Sequence, residues 1–297
     1  MPNWCYQQVI TRNREHYDIL LDRILDNEGR VDFNRLAPLP RFLEFGPDHI
    51  KLTECVKVIA YALTEGKPSC YGGILEKIRK IVPEVKTQTN WQGTGTIPTR
   101  IIEYIAEESK NNKNIKQEVE EVTKNHSTGL TIKDLAELLI KRIVSTGYFD
   151  GNEWRLNNWG TRGNAQKTSA HFGTSCGEIY FETPWLPAYP IYVAMSSLLP
   201  KNAELFVEYS EEQFNETAGE LIVSNGRVIA QNEPYPEDKD LFKIAARMQD
   251  LDQKYFRWSE EAGGIVSIEY DEELFKETVP LSPEDLLDTP IWKRFNS

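Results

Sequence analysis

The sequence has few of the residues that announce chemistry. Its 297 residues include only four cysteines and four histidines. Cys5, Cys55, Cys70 and Cys176 are widely spaced, with no Cys-x-x-Cys pair, and His16, His49, His126 and His171 do not cluster with them. A zinc site reads in sequence as closely spaced ligands, so no metal is expected. Reduced, partly buried thiols are expected instead. No apolar run approaches the ~18 residues of a membrane span. The opening "MPNWCYQQVITR" has no basic stretch followed by an apolar one, so a secretory leader is not expected and a cytoplasmic location is. There is no Gly-x-Ser-x-Gly elbow, no Gly-x-Gly-x-x-Gly and no P-loop. No catalytic motif and no cofactor are expected.

Basic charge is also short. The chain carries 46 acidic and 34 basic side chains, a net charge of −12. Residues 1–200 balance at 24 of each, whereas 201–297 hold 22 acidic against 10 basic, so the whole imbalance lies in the last third. Such a surface repels phosphate backbones and can steer a basic partner. Glu260, Glu261, Asp271, Glu272 and Glu273 are the candidate partner-binding carboxylates. The simpler account of them is a solvated face. Adjacent carboxylates on a strand point to opposite sides, which argues against a paired metal site.

Hydrophobic patterning gives the elements. "NWCYQQVIT" reads as a first strand, 14–27 as a helix, and "VDFNRLAPLP" (31–40) as a second strand ended by prolines. Helical patterns follow at 49–64, at 73–82 and from 98 onward, and the polar stretch 107–127 reads as a solvated helix or mobile arm. A helix over 131–146 opens with Thr131 and ends at Gly147. "WRLNNWGTRGNAQ" (154–166) reads as a loop anchored by two tryptophans. The remainder is a strand over 177–185, a short helix near Pro190, a strand over 202–212, and a hairpin turned at Asn225-Gly226. The tail holds a helix at 237–250, a strand "GIVSIEY" and an acidic terminal helix near 282–295.

Leaving out 47–129, this order is that of a ferredoxin-like split β-α-β core with an antiparallel sheet, which makes the fold class α+β. The expected organisation is a first half-core over 1–46, a helical insertion over 47–129, a second half-core with the hairpin over 130–234, and an acidic C-terminal extension over 235–297.

Three separated motifs then carry a resemblance. "MPNWC", "NNWGTRGNA" and "FETPWLPAYPIYVAMSSLLP" are similar, in order, to the YubB-like ferredoxin-like family of plasmid, integrative-element and phage proteins, whose function is not established. The matching positions are Asn3, Trp4, Cys5, Asn158, Trp159, Gly160, Thr161, Phe181, Thr183, Trp185, Pro187 and Tyr209, over roughly 1–40 and 140–232. Three positions depart from the family pattern: Arg162 stands for its basic residue, Gly163 for the aromatic after it, and Ala188 for a second proline.

Three kinds of site compete. Asn158, Trp159, Thr161, Arg162 and Asn164 form a candidate binding loop, or else pack and cap the backbone. Trp4, Tyr6, Tyr180 and Phe206 could form an aromatic platform for single-stranded nucleic acid on the sheet face away from the helices. Glu178, Glu182, Glu204 and Glu208 share that face and oppose phosphate, and the tail could instead cover the rings. Cys176 with His171 would need contact and an orienting group to serve a small hydrolase. The glycines of "WQGTGTIPTRIIEYI" (91–105) precede a helix start where an anion could bind. The reading that follows is a non-enzymatic accessory protein of a mobile element or phage. It binds a host or element-encoded protein with a basic surface, such as a defence or nucleic-acid-handling protein.

Overall fold

A computed structural model describes residues 3–44, 54–55, 58–59, 115–125, 129–148, 150–213 and 216–296. The chain divides into two units, Met1–Pro38 with Asn158–Ser297, and Leu39–Asn157. The first unit is α+β. In chain order it contains β1 (Trp4–Thr11), α1 (Arg14–Ile24), β2 (Gln166–Phe172), β3 (Gly177–Pro184), α2 (Tyr189–Ser197), β4 (Leu205–Glu211), β5 (Ala218–Ser224) and β6 (Arg227–Asn232). There follow α3 (Lys239–Gln249), β7 (Phe256–Ser259), β8 (Gly264–Ser267), α4 (Glu272–Glu277), α5 (Pro283–Leu286) and α6 (Pro290–Asn296).

Six strands form one sheet in the order β2-β3-β1-β4-β5-β6, and every neighbouring pair is antiparallel. Alternation along β1 sets its two faces. Cys5, Val9, Ile179, Phe181, Leu205, Val207, Leu221 and Val223 are buried on one face, in a core that also takes Leu20 and Ile24 of α1 and Ile191 and Met195 of α2. Helix α1 starts where the Asn13 carboxamide accepts from the backbone N–H groups of Glu15 at 2.8 Å and His16 at 3.2 Å. At the β5–β6 turn Asn225 and Gly226 have φ of 48° and 72°, the two left-handed residues that a type I′ turn requires.

The other face is covered over half its width by the C-terminal segment, which is a layer of the core. Phe206, Ile222 and Ile10 are buried under Ile291 and Phe295 of α6, with the Phe206 ring stacked 5.3 Å from Phe295 and edge-on to Trp292 at 5.1 Å. Beside them Arg247 of α3 sits between two buried glutamates, 2.9 Å from Glu208 and 2.6 Å from Glu220. It also donates to the Leu286 carbonyl, while Gln249 donates to Ser210 Oγ at 2.7 Å. All of β5 is buried for this reason.

Four expectations need correction. Residues 31–40 are not a strand: Val31 makes a single bridge to Leu25, and Phe33–Arg35 is a 3-10 turn. Asp32 caps that turn, accepting from Asn34 N at 3.0 Å, and a short acceptor so placed competes with strand pairing. The strand beside β3 is Gln166–Phe172, in a stretch whose exposed, irregular pattern does not alternate. The stretch 154–166 is not all loop, because Gly151–Trp159 is helical. The terminal helix is two short ones, broken where Thr289 precedes Pro290. Phe206, expected on an exposed platform, is fully buried.

In the second unit Thr131 caps the helix Ile132–Thr146, which ends at Gly147 with φ of 80°. Leu135, Leu139 and Ile143 are buried there, and so is Arg142, which donates to the Phe42 carbonyl at 2.9 Å. Part of the polar stretch, Ile115–Asn125, is helical with Val119 and Val122 buried. Of 49–64, residues 54–55 and 58–59 are helical. The helices expected at 73–82 and from 98, and the glycine stretch 91–105, lie outside the described residues.

Removing one partner of a buried ion cluster leaves uncompensated charge. Arg247→Ala is therefore expected to lower the unfolding free energy by ~3–5 kcal/mol in urea titrations at neutral pH. Burial raises the Glu208 carboxyl above its ordinary value, although Arg247 opposes this. The folded state then binds more protons than the unfolded state above pH 4.5, and this group's contribution to stability falls as pH rises through that interval. Without Arg247 this carboxyl rises further, so the variant loses stability more steeply with pH, and the Arg247→Ala defect should be smaller at pH 5 than at pH 7.

Candidate functional site

The three sequence motifs meet at one end of β1 and β3. Gln7, buried at a position the alternation assigns to the core, donates to Thr183 Oγ1 and to the Cys5 carbonyl at 3.3 Å. Its carbonyl oxygen accepts from Ala188 N at 2.9 Å and from the Tyr192 hydroxyl. Thr183 Oγ1 donates to the Leu186 carbonyl at 2.7 Å, and Trp185 N donates to the Asn3 carbonyl at 2.9 Å. At the far side Tyr209 donates to Glu233 at 2.8 Å, and its hydroxyl lies 2.7 Å from that of Tyr189. This network fixes the sharp connection from β3 into α2. Burial pushes the Cys5 thiol well above its ordinary range, with Glu211 adding to the shift, so Cys5 is an inert core residue.

The candidate loop belongs to the same construction. Trp159 is buried, its indole N–H donates to the Ala37 carbonyl at 2.8 Å, and its ring meets Phe33 edge-on at 5.8 Å. Thr161 is buried and donates to the Pro184 carbonyl at 2.8 Å. Asn164 accepts from Phe33 N at 2.8 Å and donates to Asp32 at 2.7 Å. At Gly160, with φ of 82°, a Cβ would lie 2.9 Å from the Pro187 carbonyl oxygen and 2.8 Å from Pro190 Cδ. Asn158 ends the helix Gly151–Trp159 with its neighbour, and Arg162 is the exposed member. Most of these polar groups are therefore bonded inside the protein.

The five tail carboxylates are exposed but do not converge. Glu260 pairs with Lys239 at 2.7 Å, which holds its carboxyl below the ordinary range. Glu272 pairs with Lys276 at 2.6 Å and is lowered likewise. Asp271 caps α4 through Leu274 N at 3.2 Å. Glu260 and Glu261 line one groove with Glu277 and Asp285. Asp271 lines a second with Tyr270 and Leu274, and Glu273 is exposed on α4.

Cys176 lies in the β2–β3 turn, 3.6 Å from Glu178. Burial and that carboxylate raise its thiol, the opposite of what a nucleophile needs. His171 pairs in register with Glu178. Among the described residues no three His, Cys, Asp or Glu side chains come together as a metal site. Among the same residues, no helix is long and apolar enough to cross a membrane.

What remains open is the other half of the second sheet face, over β1, β3 and β2. Register puts Trp4, Tyr6, Gln8, Tyr180, Glu178 and Glu182 on it together, with Ser210 and Glu208 beyond. Trp4, Tyr6 and Tyr180 are half-buried there. Glu182, 4% exposed, accepts from the Tyr180 hydroxyl at 3.0 Å and pairs with Lys167 Nζ at 2.9 Å. Glu212 accepts from Trp4 N at 3.2 Å at the rim. Burial raises the Tyr180 hydroxyl, and the bond to Glu182 raises it further. Tyr6 is raised by burial, then by Glu212 and Glu182. Lys167, Glu212, Gln7 and Glu233 are not among the residues that patterning singles out. Gln7 alone has a signal, a polar residue in a core register.

No family model and no curated protein matches the chain. Among solved structures it is similar to the crystal structure of a protein api92 from Yersinia pseudotuberculosis, of the family model DUF1281. The identity is 11%, the match covers 79% of this chain and 98% of that one, and the TM-score is 0.35.

A scaffold and a binding loop respond differently to substitution. Gln7→Leu should destabilise by ~2–4 kcal/mol, since each buried group left unbonded costs about 1–3 kcal/mol. Arg162→Ala should stay within about 0.5 kcal/mol of the parent. Urea midpoints of the two variants provide the comparison.

Proposed function

We propose that the chain is a non-enzymatic binding protein whose recognition surface is the open half of the second sheet face. One observation carries this: three half-buried aromatic rings, Trp4, Tyr6 and Tyr180, share a face with Glu178, Glu182 and Glu212. Aromatic side chains that keep part of their area free are the usual anchors of protein interfaces. The carboxylates set the sign of the partner. A phosphate backbone would be repelled and a basic protein surface attracted. Lys167 at the edge of this patch is taken up by Glu182.

The order β2-β3-β1-β4, with α1 leaving β1 and α2 joining β3 to β4, supports a ferredoxin-like split β-α-β core extended by β5 and β6. An accessory role in a mobile element or phage, within the cytoplasm, rests on the motif resemblance. The acidic tail surface contributes long-range attraction to the same basic partner.

The test is an affinity capture from host lysate, with and without nuclease, using the parent, Tyr6→Ala with Tyr180→Ala, and a tail variant with Glu260, Glu261, Glu272 and Glu273 changed to Gln. A stoichiometric protein is expected to survive nuclease, to weaken with salt, and to be lost from the double aromatic variant. Capture that vanishes with nuclease would overturn the reading in favour of nucleic acid. Capture lost only from the tail variant would move the interface to the tail.

A further inference from the structure

We infer that Trp4, Tyr6, Tyr180 and Glu182 form a receptor for one cationic side chain, an arginine of a basic protein partner, and that Lys167 is its built-in occupant, displaced on binding. The inference deepens the reading of the open sheet half and rests on it for the class of partner.

The occupant is visible. Lys167 Nζ lies 2.9 Å from Glu182 Oε2 and 5.9 Å from the centroid of the Trp4 ring. Both distances suit a cation held between a carboxylate and an aromatic face. Glu182 needs such a cation, since its side chain is only 5% exposed and an unpaired buried carboxylate is costly. The ammonium is held in its charged form first by the bond to Glu182, with Tyr6 and Glu212 adding to it.

Lys167 is also poorly fixed as an occupant. It sits at an irregularity in the β2–β3 pairing, between Gln166 and Ser169, and has φ of 46°, a left-handed conformation unfavourable to a side-chain-bearing residue. Its side chain remains 65% exposed, so it can swing out without repacking anything. A single ammonium makes one point contact with Glu182, whereas a guanidinium can bond both carboxylate oxygens and stack on a ring.

The covered half of the same face shows the chemistry completed. There Glu208 and Glu220 hold the guanidinium of Arg247, which lies 5.7 Å from the centroid of the Trp292 ring. One carboxylate-and-aromatic site on this sheet is filled from α3 by arginine. The neighbouring site is filled from an edge strand by a lysine on a strained bulge.

The experiment uses the purified full chain and a hexa-arginine peptide, with hexa-glutamate as control, followed by calorimetry and tryptophan fluorescence. Lys167→Gly removes the occupant and suits the left-handed backbone. It is expected to tighten hexa-arginine binding about tenfold, as expected when a competing occupied state is removed. Glu182→Gln, which keeps the side-chain shape, is expected to abolish that gain when combined with Lys167→Gly, near-ultraviolet dichroism being checked for an intact fold. Unchanged or weaker binding by Lys167→Gly would overturn the inference, as would an equal gain in the double variant. The two readings fail separately. If Tyr6→Ala with Tyr180→Ala loses a captured protein while Lys167→Gly leaves the peptide affinity unchanged, the receptor is wrong and the interface stands. If Lys167→Gly tightens the peptide but the chain captures no protein, the receptor stands and the interface is wrong.

Discussion

Arg247 between Glu208 and Glu220 is the contact on which the architecture of the first unit depends. Two carboxylates on adjacent strands of a buried sheet face are unfavourable on their own, since each has lost its water and each repels the other. One guanidinium, with its planar set of donors, answers both and reaches the Leu286 carbonyl as well. Because Arg247 is on α3 and Leu286 on α5, the bond set ties the C-terminal helices to the centre of the sheet. Around it Phe206, Ile222 and Ile10 can then be apolar under α6. Without the arginine, that half of the face would carry two uncompensated buried carboxylates beside apolar side chains.

The rest of the molecule divides its polar residues by the same logic. At the β3–α2 connection, polar groups are buried and bonded to one another: the motif residues Trp159, under Phe33, and Thr161, on Pro184, hold that corner together with Gln7, which lies outside the motifs and bonds Thr183 and Ala188. On the open half of the second face, one buried carboxylate, Glu182, is paired with the exposed Lys167 beside rings that are only partly covered. Trp159 and Thr161 thus mark a corner of the scaffold, while the surface suited to recognition draws on residues scattered along the chain, Trp4, Tyr6, Tyr180 and Glu182.

That difference explains what could be read from the sequence. Strand β4 is legible because "ELFVEYSE" alternates, and the β5–β6 turn because Asn-Gly needs two left-handed residues. Helix Ile132–Thr146 is legible from its Thr cap and Gly stop. Strand β2 is not, because an edge strand exposed along most of its length carries no burial pattern to alternate. Residues 31–40 imitate a strand in composition, but Asp32 and Asn34 favour a turn. For Phe206, pattern alone identifies its face and cannot tell whether another layer lies on it. The pairing of Lys167 with Glu182 depends on a bulge, and a bulge has no residue-type signal here.

The place of β1 in the sheet has a consequence for synthesis. It is a central strand, flanked by β3 and β4, and its bond from Trp4 to Glu212 spans 208 residues of chain. The contact from Arg12 to Asn296 spans 284. A ribosome adding about 5–20 residues per second needs roughly 10–40 s to deliver the second of β1's two partners. Until β3 is made the strand has both backbone edges unpaired, and the edge that takes β4 stays open longer still. The 119 residues of the unit Leu39–Asn157 are made in that interval, ahead of either partner strand. The first unit is therefore a high-contact-order fold that assembles only once its C-terminal strands and helices have been translated, and its newest and oldest segments close together.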